Sequence, residues 1–447
     1  MIRTDNYKNN TDKYDNIYPN IRVIIAFEMR LSIVNSLDSK ILIFQGVIYF
    51  NFESILSIII RQQFPPERSP TVKVTVSQQQ LAHGLSLVSR AVAPRSTLPV
   101  LANILVATDE GRVRLSATNL ELGISCWIGG QIAEEGAITV PARTLSDLVN
   151  TLPIDPVLLE LNPKNQVLNV RCGTSITDIK GIDAQEYPPI PVPDLADGLE
   201  LNISDFKEMI QQVVFAVSTD EARPVLQGVQ MSVNGTFITM AATDGYRVSV
   251  RKAELEHPAA SPFSIIIPAR ALSELARIAS DGDQKIVMVT PPGRGQVLFH
   301  LRDAELVSSL IEGNFPPYDK IIPTSFKTKT ILSTAEFLKS CRQAEIIARD
   351  GNNIVRLDIQ PAVEGAPGVV EISAQSEETG FSEIKLAANV EGPGLLIAFN
   401  VRFLREVLDV MKSPNIVLQT NANNTPGLLQ QTGDDSFIHV IMPMHLG

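Results

Sequence analysis

One short pattern recurs three times along this 447-residue chain and limits what it can fold into. Val140-Pro141-Ala142-Arg143, Ile267-Pro268-Ala269-Arg270 and Phe399-Asn400-Val401-Arg402 each set an apolar residue before a helix-starting residue, with an arginine two positions on. Leu145, Leu272 and Leu404 follow, then Asp147, Glu274 and Glu406. Pro suits the first helical position, where its missing N–H would be unpaired anyway, and Asn is a good N-cap. The arginine is the odd member, because a cation in a helix's first turn opposes the macrodipole by roughly 0.3–1 kcal/mol. Three arginines at equivalent places point to one negatively charged partner.

The repeat is longer than this passage. Leu98-Pro99-Val100-Leu101 corresponds to Arg223-Pro224-Val225-Leu226, and Ala117-Thr118-Asn119 to Ala242-Thr243-Asp244, each 125 residues apart. Tyr187-Pro188-Pro189 matches Phe315-Pro316-Pro317, and Ser373-Ala374-Gln375 holds the place of the Ala-Thr pair in a looser third copy. Such a period is too long for a solenoid unit and describes three tandem domains of ordinary size.

Each copy opens with an amphipathic pattern, predicting helices over Ser77–Val92, Ser204–Ser218 and Thr334–Arg349 with Ser77, Ser204 and Ser333 or Thr334 as N-caps. Their apolar stripes are Leu81, Leu85, Val88; Phe206, Ile210, Val213/Val214; and Phe337, Cys341, Ala344, Ile347. Alternating segments follow, such as Ile104–Ala107, Arg112–Ala117, Gln230–Val233 and Thr236–Ala241, which read as strands. A second helix starts at the repeated Pro or Asn, and more strands end in Pro-rich connectors. Helix, strands, helix, strands gives an α+β fold on antiparallel sheet. The expected boundaries are 72–197, 198–325 and 326–447, with residues 1–71 outside the repeat.

That leader is rich in Asn, Asp, Lys and Tyr over residues 1–20 and apolar over 21–60. Its uncharged runs fall short of the ~18–20 residues that span a bilayer, and it lacks the layout of a secretory signal. It reads as non-structural upstream sequence, with Val72-Lys73 a sensible true beginning; an organelle-targeting segment or membrane anchor is the alternative. The net charge of −11 disfavours a nucleic-acid binder, although an acidic exterior can coexist with a basic inner surface. Cys126, Cys172 and Cys341 suggest neither a disulfide framework nor a metal site, and a reducing, cytoplasmic setting follows.

Enzyme signatures are missing. Pro291-Pro292-Gly293-Arg294-Gly295 lacks the Lys-Ser/Thr of a phosphate loop and reads as a turn. The five histidines show no metal-ligand spacing, and nothing asks for a cofactor. Arg143, Arg270 and Arg402 sit at helix starts, where free N–H groups also favour phosphate, and Arg95, Arg223 and Arg349 follow the first helix of each copy. Contacts of this kind bind backbone without reading sequence. No aromatic-rich stretch for stacking single-stranded bases is present, so duplex is the better partner. The C-terminal Phe437–Gly447 reads either as an edge strand with a frayed tail or, through Met442 and Met444, as part of an adaptable groove for partner peptides.

Together these residues resemble the bacterial DNA polymerase III beta subunits, the replicative sliding clamps. The motifs that carry the likeness are Thr97-Leu98-Pro99-Val100-Leu101-Ala102-Asn103, Ala242-Thr243-Asp244-Gly245-Tyr246-Arg247, Gly313-Asn314-Phe315-Pro316-Pro317-Tyr318, Ala398-Phe399-Asn400-Val401 and Met442-Pro443-Met444. It covers essentially all of Val72–Gly447, and residues 1–71 have no counterpart. The resemblance implies a head-to-tail homodimeric ring of six similar domains around duplex DNA, with paired helices inside and antiparallel sheets outside. Such a ring is not catalytic. It tethers the replicative polymerase and binds the clamp loader and other proteins carrying a clamp-binding motif, without metal, cofactor or membrane.

By motif position, the resemblance implies that Arg95, Arg143, Arg223, Arg270 and Arg349 face DNA; Arg402 belongs to the repeat but is not carried over from the resemblance. It implies a partner-peptide pocket between the second and third domains. It comprises Leu226, Thr243, Gly245, Tyr246, Arg247, Val248, Pro316, Ile321, Val440, Met442, Pro443, Met444 and Leu446. His445 stands where a more basic residue is common, and Gly447 extends past the usual terminal Leu. The competing class is a three-domain β-rich interaction scaffold with no nucleic-acid role, its arginines engaged at domain joints.

Overall fold

The structure is a computed structural model that describes residues 72–191, 194–196, 198–279, 285–291, 293–364 and 366–445, with the backbone at 43–44 and 47–48. The chain divides into two compact units, Met1–Glu67 and Arg68–Gly447. In the first, β1 (Ile43–Phe44) pairs antiparallel with β2 (Val47–Ile48). The remainder of the expected leader lies outside the described residues.

The second unit carries the threefold pattern. In the first copy, β3 (Lys73–Ser77) leads into helix α1 (Gln78–Val88). Next come β4 (Asn103–Asp109), β5 (Arg112–Thr118), β6 (Leu122–Ile128), β7 (Gly130–Glu134) and β8 (Ala137–Pro141). Helix α2 (Ala142–Thr151) precedes β9 (Pro156–Asn162), β10 (Val167–Cys172) and β11 (Ser175–Lys180).

The second copy runs β12 (Leu199–Asn202), α3 (Ile203–Val213), β13 (Gly228–Asn234), β14 (Phe237–Thr243), β15 (Arg247–Glu254) and β16 (Phe263–Pro268). Helix α4 (Ala269–Ile278), β17 (Lys285–Val289), β18 (Gln296–His300) and β19 (Ala304–Ser309) complete it. The third runs β20 (Thr328–Ser333), α5 (Thr334–Ala348), β21 (Ile354–Gln360), β22 (Val369–Ser376), β23 (Gly380–Ala387), β24 (Asn389–Glu391) and β25 (Leu395–Asn400). It ends with α6 (Val401–Val410), β26 (Asn415–Thr420), β27 (Gly427–Gln431) and β28 (Asp434–Ile441).

The helices follow the expected stripes, with differences at their starts. Ser77 caps α1 through a bond to its hydroxyl from the Gln80 N–H, and Ser333 caps α5 in the same way. In α3 the cap is Asn202 and not Ser204, because the Asn202 side chain accepts from the N–H groups of both Ser204 and Asp205. Pro141 and Pro268 end β8 and β16 in extended conformations (ψ 119° and 130°), so they are N-caps rather than first helical residues. Asn400 is the N-cap of α6 as expected, its side chain accepting from the Arg402 N–H. Arg143, Arg270 and Arg402 are therefore each the second residue of a helix.

Pairing between strands joins the copies. One eight-stranded sheet contains β8, β4, β5 and β6 of the first copy and continues through β19, β18, β17 and β12 of the second. Its central seam is β6 against β19, with Gly123 opposite Val307. The next sheet repeats the seam one copy on, with β15 against β28 and Val248 opposite Val440. Hence the C-terminal strand is interior to a sheet, unlike the edge strand that one reading of the sequence expected. The two remaining sheets of this unit, β11-β10-β9-β3-β7 and β23-β22-β21-β25, end on β11 and β23.

Helices pack on these sheets, α1 against β5 and β6, α3 against β14 and β15, and α5 against β22 and β23. They also meet one another, as α1 with α2, α3 with α4, α3 with α6, and α5 with α6. Arg90, in the turn after α1, bonds Glu274 of α4 and so links the first pair to the second. One core of buried apolar side chains runs through the first two copies and another fills the third, with Phe215 packed on both. The segment around Gly293 and Gly295 is the turn between β17 and β18; both glycines have positive φ (72° and 58°).

Candidate functional site

The repeated helix starts present exposed cations in different ways. Arg143 is 94% exposed and lies 3.5 Å from Asp147, one turn along α2. Such an exposed pair contributes little. Arg270 is exposed and donates to the Arg90 carbonyl at 3.1 Å, which brings a further arginine, unnoticed in the sequence, beside it. Arg402 is exposed on α6 and makes no ion pair among the described residues. Arg95 is exposed in the loop after α1, and Arg349 is exposed at the C-cap of α5, where a cation favours the helix dipole.

Arg223 differs. Its guanidinium donates to the Asp220 carboxylate (2.9 Å), the Asp244 carbonyl (3.0 Å) and the Ser218 hydroxyl (3.2 Å). It therefore fastens the loop after α3 to the turn that carries Gly245 and Tyr246.

That turn borders a patch of apolar residues at the β15–β28 seam, some buried and some exposed. The Thr243 hydroxyl donates to the Arg247 carbonyl and accepts from the Gly245 N–H, while the Asp244 carboxylate accepts from the N–H groups of Tyr246 and Arg247. Gly245 has φ 94°, a conformation that favours glycine. Val248 and Val440 are buried in its floor with Ala241, Val250 and Leu428, and Phe315, Tyr318 and Ile322 pack against them. The Met442 N–H bonds the Tyr246 carbonyl, and the Met444 N–H bonds the Ala398 carbonyl. Above this floor Tyr246 (62% exposed), Ile321 (40%) and Met442 (38%) hold apolar surface in solvent. Leu226, Pro316, Pro443 and Met444 are half-buried, Leu226 within the short 3-10 turn Pro224–Gln227. Leu446 lies outside the described residues.

Arg247, which the motif placed in the pocket, is buried beneath it. Its guanidinium bonds the Asp244 carboxylate (3.0 Å), Glu406 of α6 (2.5 Å) and the Phe215 carbonyl (2.6 Å). It also stacks over the rings of Phe403 (4.3 Å) and Phe215 (5.3 Å). His439 of β28 is beside it, wholly buried, with Nδ1 2.6 Å from the Ser249 hydroxyl and its ring 5.4 Å from that of Phe215. Burial and then the charge of Arg247 hold the imidazole well below its usual pKa, so it is neutral. Phe215, Phe403 and His439 were missed from the sequence, since nothing in local periodicity ties them to Arg247, which lies 32, 156 and 192 residues away along the chain. Glu406 was visible as the acidic member of the repeat, although its partner was not.

Among the described residues no cluster of His, Cys, Asp or Glu is placed to hold a metal ion, and no helix is long and apolar enough to cross a membrane. All three cysteines are buried, and burial raises the Cys126 thiol to about 12, which makes it unreactive.

Comparison with known proteins agrees with this architecture. Models of the N-terminal, central and C-terminal domains of the DNA polymerase III beta subunit match residues 72–191, 200–317 and 319–445 in that order. The beta sliding clamp of Synechococcus elongatus is 34% identical over 84% of this chain and all of its own length. That of Bacillus subtilis is 32% identical over 83% of this chain and 99% of its own. The crystal structure of the Bacillus subtilis sliding clamp superposes with a TM-score of 0.79 at 30% identity, covering 84% of this chain and all of that one. The Pseudomonas aeruginosa sliding clamp bound to griselimycin superposes at 0.78 and 26% identity, with the same coverage. The chain belongs to the family of bacterial DNA polymerase III beta subunits, the beta sliding clamps.

Proposed function

We propose that two copies of this chain close head to tail around duplex DNA and slide on it without catalysis, tethering a replicative polymerase so that synthesis is processive. One observation carries the ring. Within the chain, β6 meets β19 and β15 meets β28, and by the repeat β23 corresponds to β6 and β15 while β11 corresponds to β19 and β28. Pairing β23 of one protomer with β11 of another supplies the third such seam, and two of these heterologous contacts close a ring. Ile176 on β11 and Phe381 on β23 are 67% and 61% exposed, an invitation to edge pairing. Sedimentation equilibrium tests this: the protein should run as a dimer and Phe381→Asp should shift it toward monomer, whereas a monomeric native protein contradicts the ring.

Within that ring, Arg95, Arg143, Arg270 and Arg349 are the proposed phosphate contacts, joined by Arg402 and Arg90. Their modest number suits a tether that must slide, since each phosphate contact adds to salt-dependent affinity. Arg223 serves chiefly by holding the Gly245–Tyr246 turn. The apolar patch at the β15–β28 seam is the proposed docking pocket for peptides of polymerase, clamp loader and other partners, with Leu226, Tyr246, Ile321, Met442 and Pro443 as its contacting surface. Arg247 acts from below as a positioning residue. The domains are taken as 72–197, 198–325 and 326–447; the three successive family matches support their number and order, the third starting at residue 319, and the working site is the cytoplasm. The scaffold reading without DNA is not favoured.

A further inference from the structure

We propose that the seam between the first and second copies forms a second docking pocket, suited to an extended peptide that carries an apolar anchor beside a basic residue. The inference extends by internal repeat the reading of the β15–β28 patch as a peptide pocket. A cavity of about 210 Å³ lies over the β6–β19 seam, lined by Thr118, Leu120, Glu121, Gly123, Ile190 and Val307 among others.

The two sites are built alike. The Thr118 hydroxyl donates to the Leu122 carbonyl and accepts from the Leu120 N–H, and the Asn119 side chain accepts from the N–H groups of Glu121 and Leu122. These are the bonds that Thr243 and Asp244 make in the other turn. Leu120 has φ 77°, where Gly245 has φ 94°, and Gly123 faces Val307 as Val248 faces Val440. Downstream, Ile190 stands after Pro188-Pro189 where Tyr318 follows Pro316-Pro317.

The substitutions between the sites define the occupant. Gly123 in place of Val248 leaves the floor without a side chain, and a Cβ there would meet Ile190 and Thr118 only at 3.6 Å, an ordinary contact. Ile190 and Thr118 thus line this part of the floor, and the room for an inserted apolar group is the adjoining cavity of about 210 Å³. Leu120 holds an apolar side chain 55% exposed at the mouth, in a left-handed conformation that is costly for a non-glycine residue. Glu121 replaces the aromatic Tyr246 on the rim, is exposed, and makes no ion pair among the described residues. A carboxylate beside an apolar floor favours a Lys or Arg adjacent to the anchor. The acidic rim also separates this pocket's choice of partner from that of its mate.

The test is a methyl NMR titration of the full-length protein with acetyl-Ser-Leu-Phe-Lys-Ser-amide. The Ile190 and Leu120 methyl signals should move and saturate. Gly123→Val, which fills the floor as Val248 does, should weaken that response about tenfold, and Met442→Ala should leave it unchanged. Replacing the peptide's Lys by Glu should weaken it roughly twofold to fivefold, and Glu121→Lys should reverse that preference. Absence of shifts at Ile190 and Leu120, or shifts indifferent to both Gly123→Val and Glu121→Lys, overturns the proposal. Shifts confined to the Leu226, Ile321 and Met442 methyls, with those of Leu226 and Ile321 lost in Met442→Ala, refute this pocket and leave the first intact; shifts confined to Ile190 and Leu120 support this pocket independently of the first.

Discussion

Nη1 of Arg247 lies 2.5 Å from Oε2 of Glu406, a single ion pair that ties the turn beside the β15–β28 patch to helix α6 of the third copy. With bonds to Asp244 and Phe215 and two aromatic faces, the guanidinium is almost fully enclosed, 7% exposed. Removing one member of a buried ion pair leaves its partners charged and desolvated. Arg247→Ala should therefore destabilise the protein by about 3 kcal/mol in denaturant titration. Arg247→Lys should recover little of this, because an ammonium cannot reproduce three directed N–H bonds and ring stacking. A near-neutral Arg247→Lys would show that charge alone matters.

His439 gives the same junction a pH dependence. Its folded-state pKa lies well below the ordinary 6.5, so below that value the unfolded chain takes up a proton that the native one refuses. Unfolding is then favoured as pH falls, by about 1 kcal/mol per pH unit until the folded pKa is reached. The charged neighbour Arg247 acts in the same direction as burial. Stability measured from pH 7.5 down to 5.5 should fall more steeply in the native protein than in His439→Gln. Parallel curves would assign the acid sensitivity elsewhere.

In the proposed peptide pocket, Met442 is exposed and Leu226 half-buried, so both offer apolar surface. Met442→Ala and Leu226→Ala should each weaken binding of a polymerase-derived clamp-binding peptide by roughly 1–2 kcal/mol. Isothermal titration calorimetry at matched folding stability would read the change, and unaltered affinity in both variants would remove the pocket assignment.

Arg223 separates two roles that its position in the repeat merges. Its three bonds hold the Asp244–Tyr246 turn, and the nearby Asp220 partly offsets its charge. Arg223→Ala should reduce peptide affinity more than it reduces retention on DNA, while Arg143→Ala should do the opposite. Equal losses on DNA for the two variants would restore Arg223 as a phosphate contact.

Much of this was legible in the sequence because the chain states its design three times. Any one Pro-Ala-Arg passage is ordinary, but Pro141, Pro268 and Asn400 at matched places mark three helix starts, and the structure puts each at an N-cap. Local signals also found the capping serines Ser77 and Ser333, and failed at α3 because the helix begins two residues earlier than expected, with Asn202 accepting from the N–H groups of Ser204 and Asp205. What sequence reasoning could not supply is long-range pairing. That β28 is interior, that Arg247 points down to Glu406 and not out to a ligand, and that Arg270 is bound to the Arg90 carbonyl all depend on segments far apart along the chain meeting in space. The mirrored cavity at the β6–β19 seam was hidden for the same reason, although every residue of its turn was in plain view.

The central claim is topological enclosure, and retention on DNA of different topology tests it most directly. Loaded by its clamp loader onto nicked circular duplex and passed through gel filtration at moderate salt, the protein should stay with the DNA. It should be lost rapidly once the circle is cut by a restriction enzyme, because a ring slides off a free end. Equal retention on circular and linear DNA would mean that the arginines grip phosphate directly, and would contradict the ring.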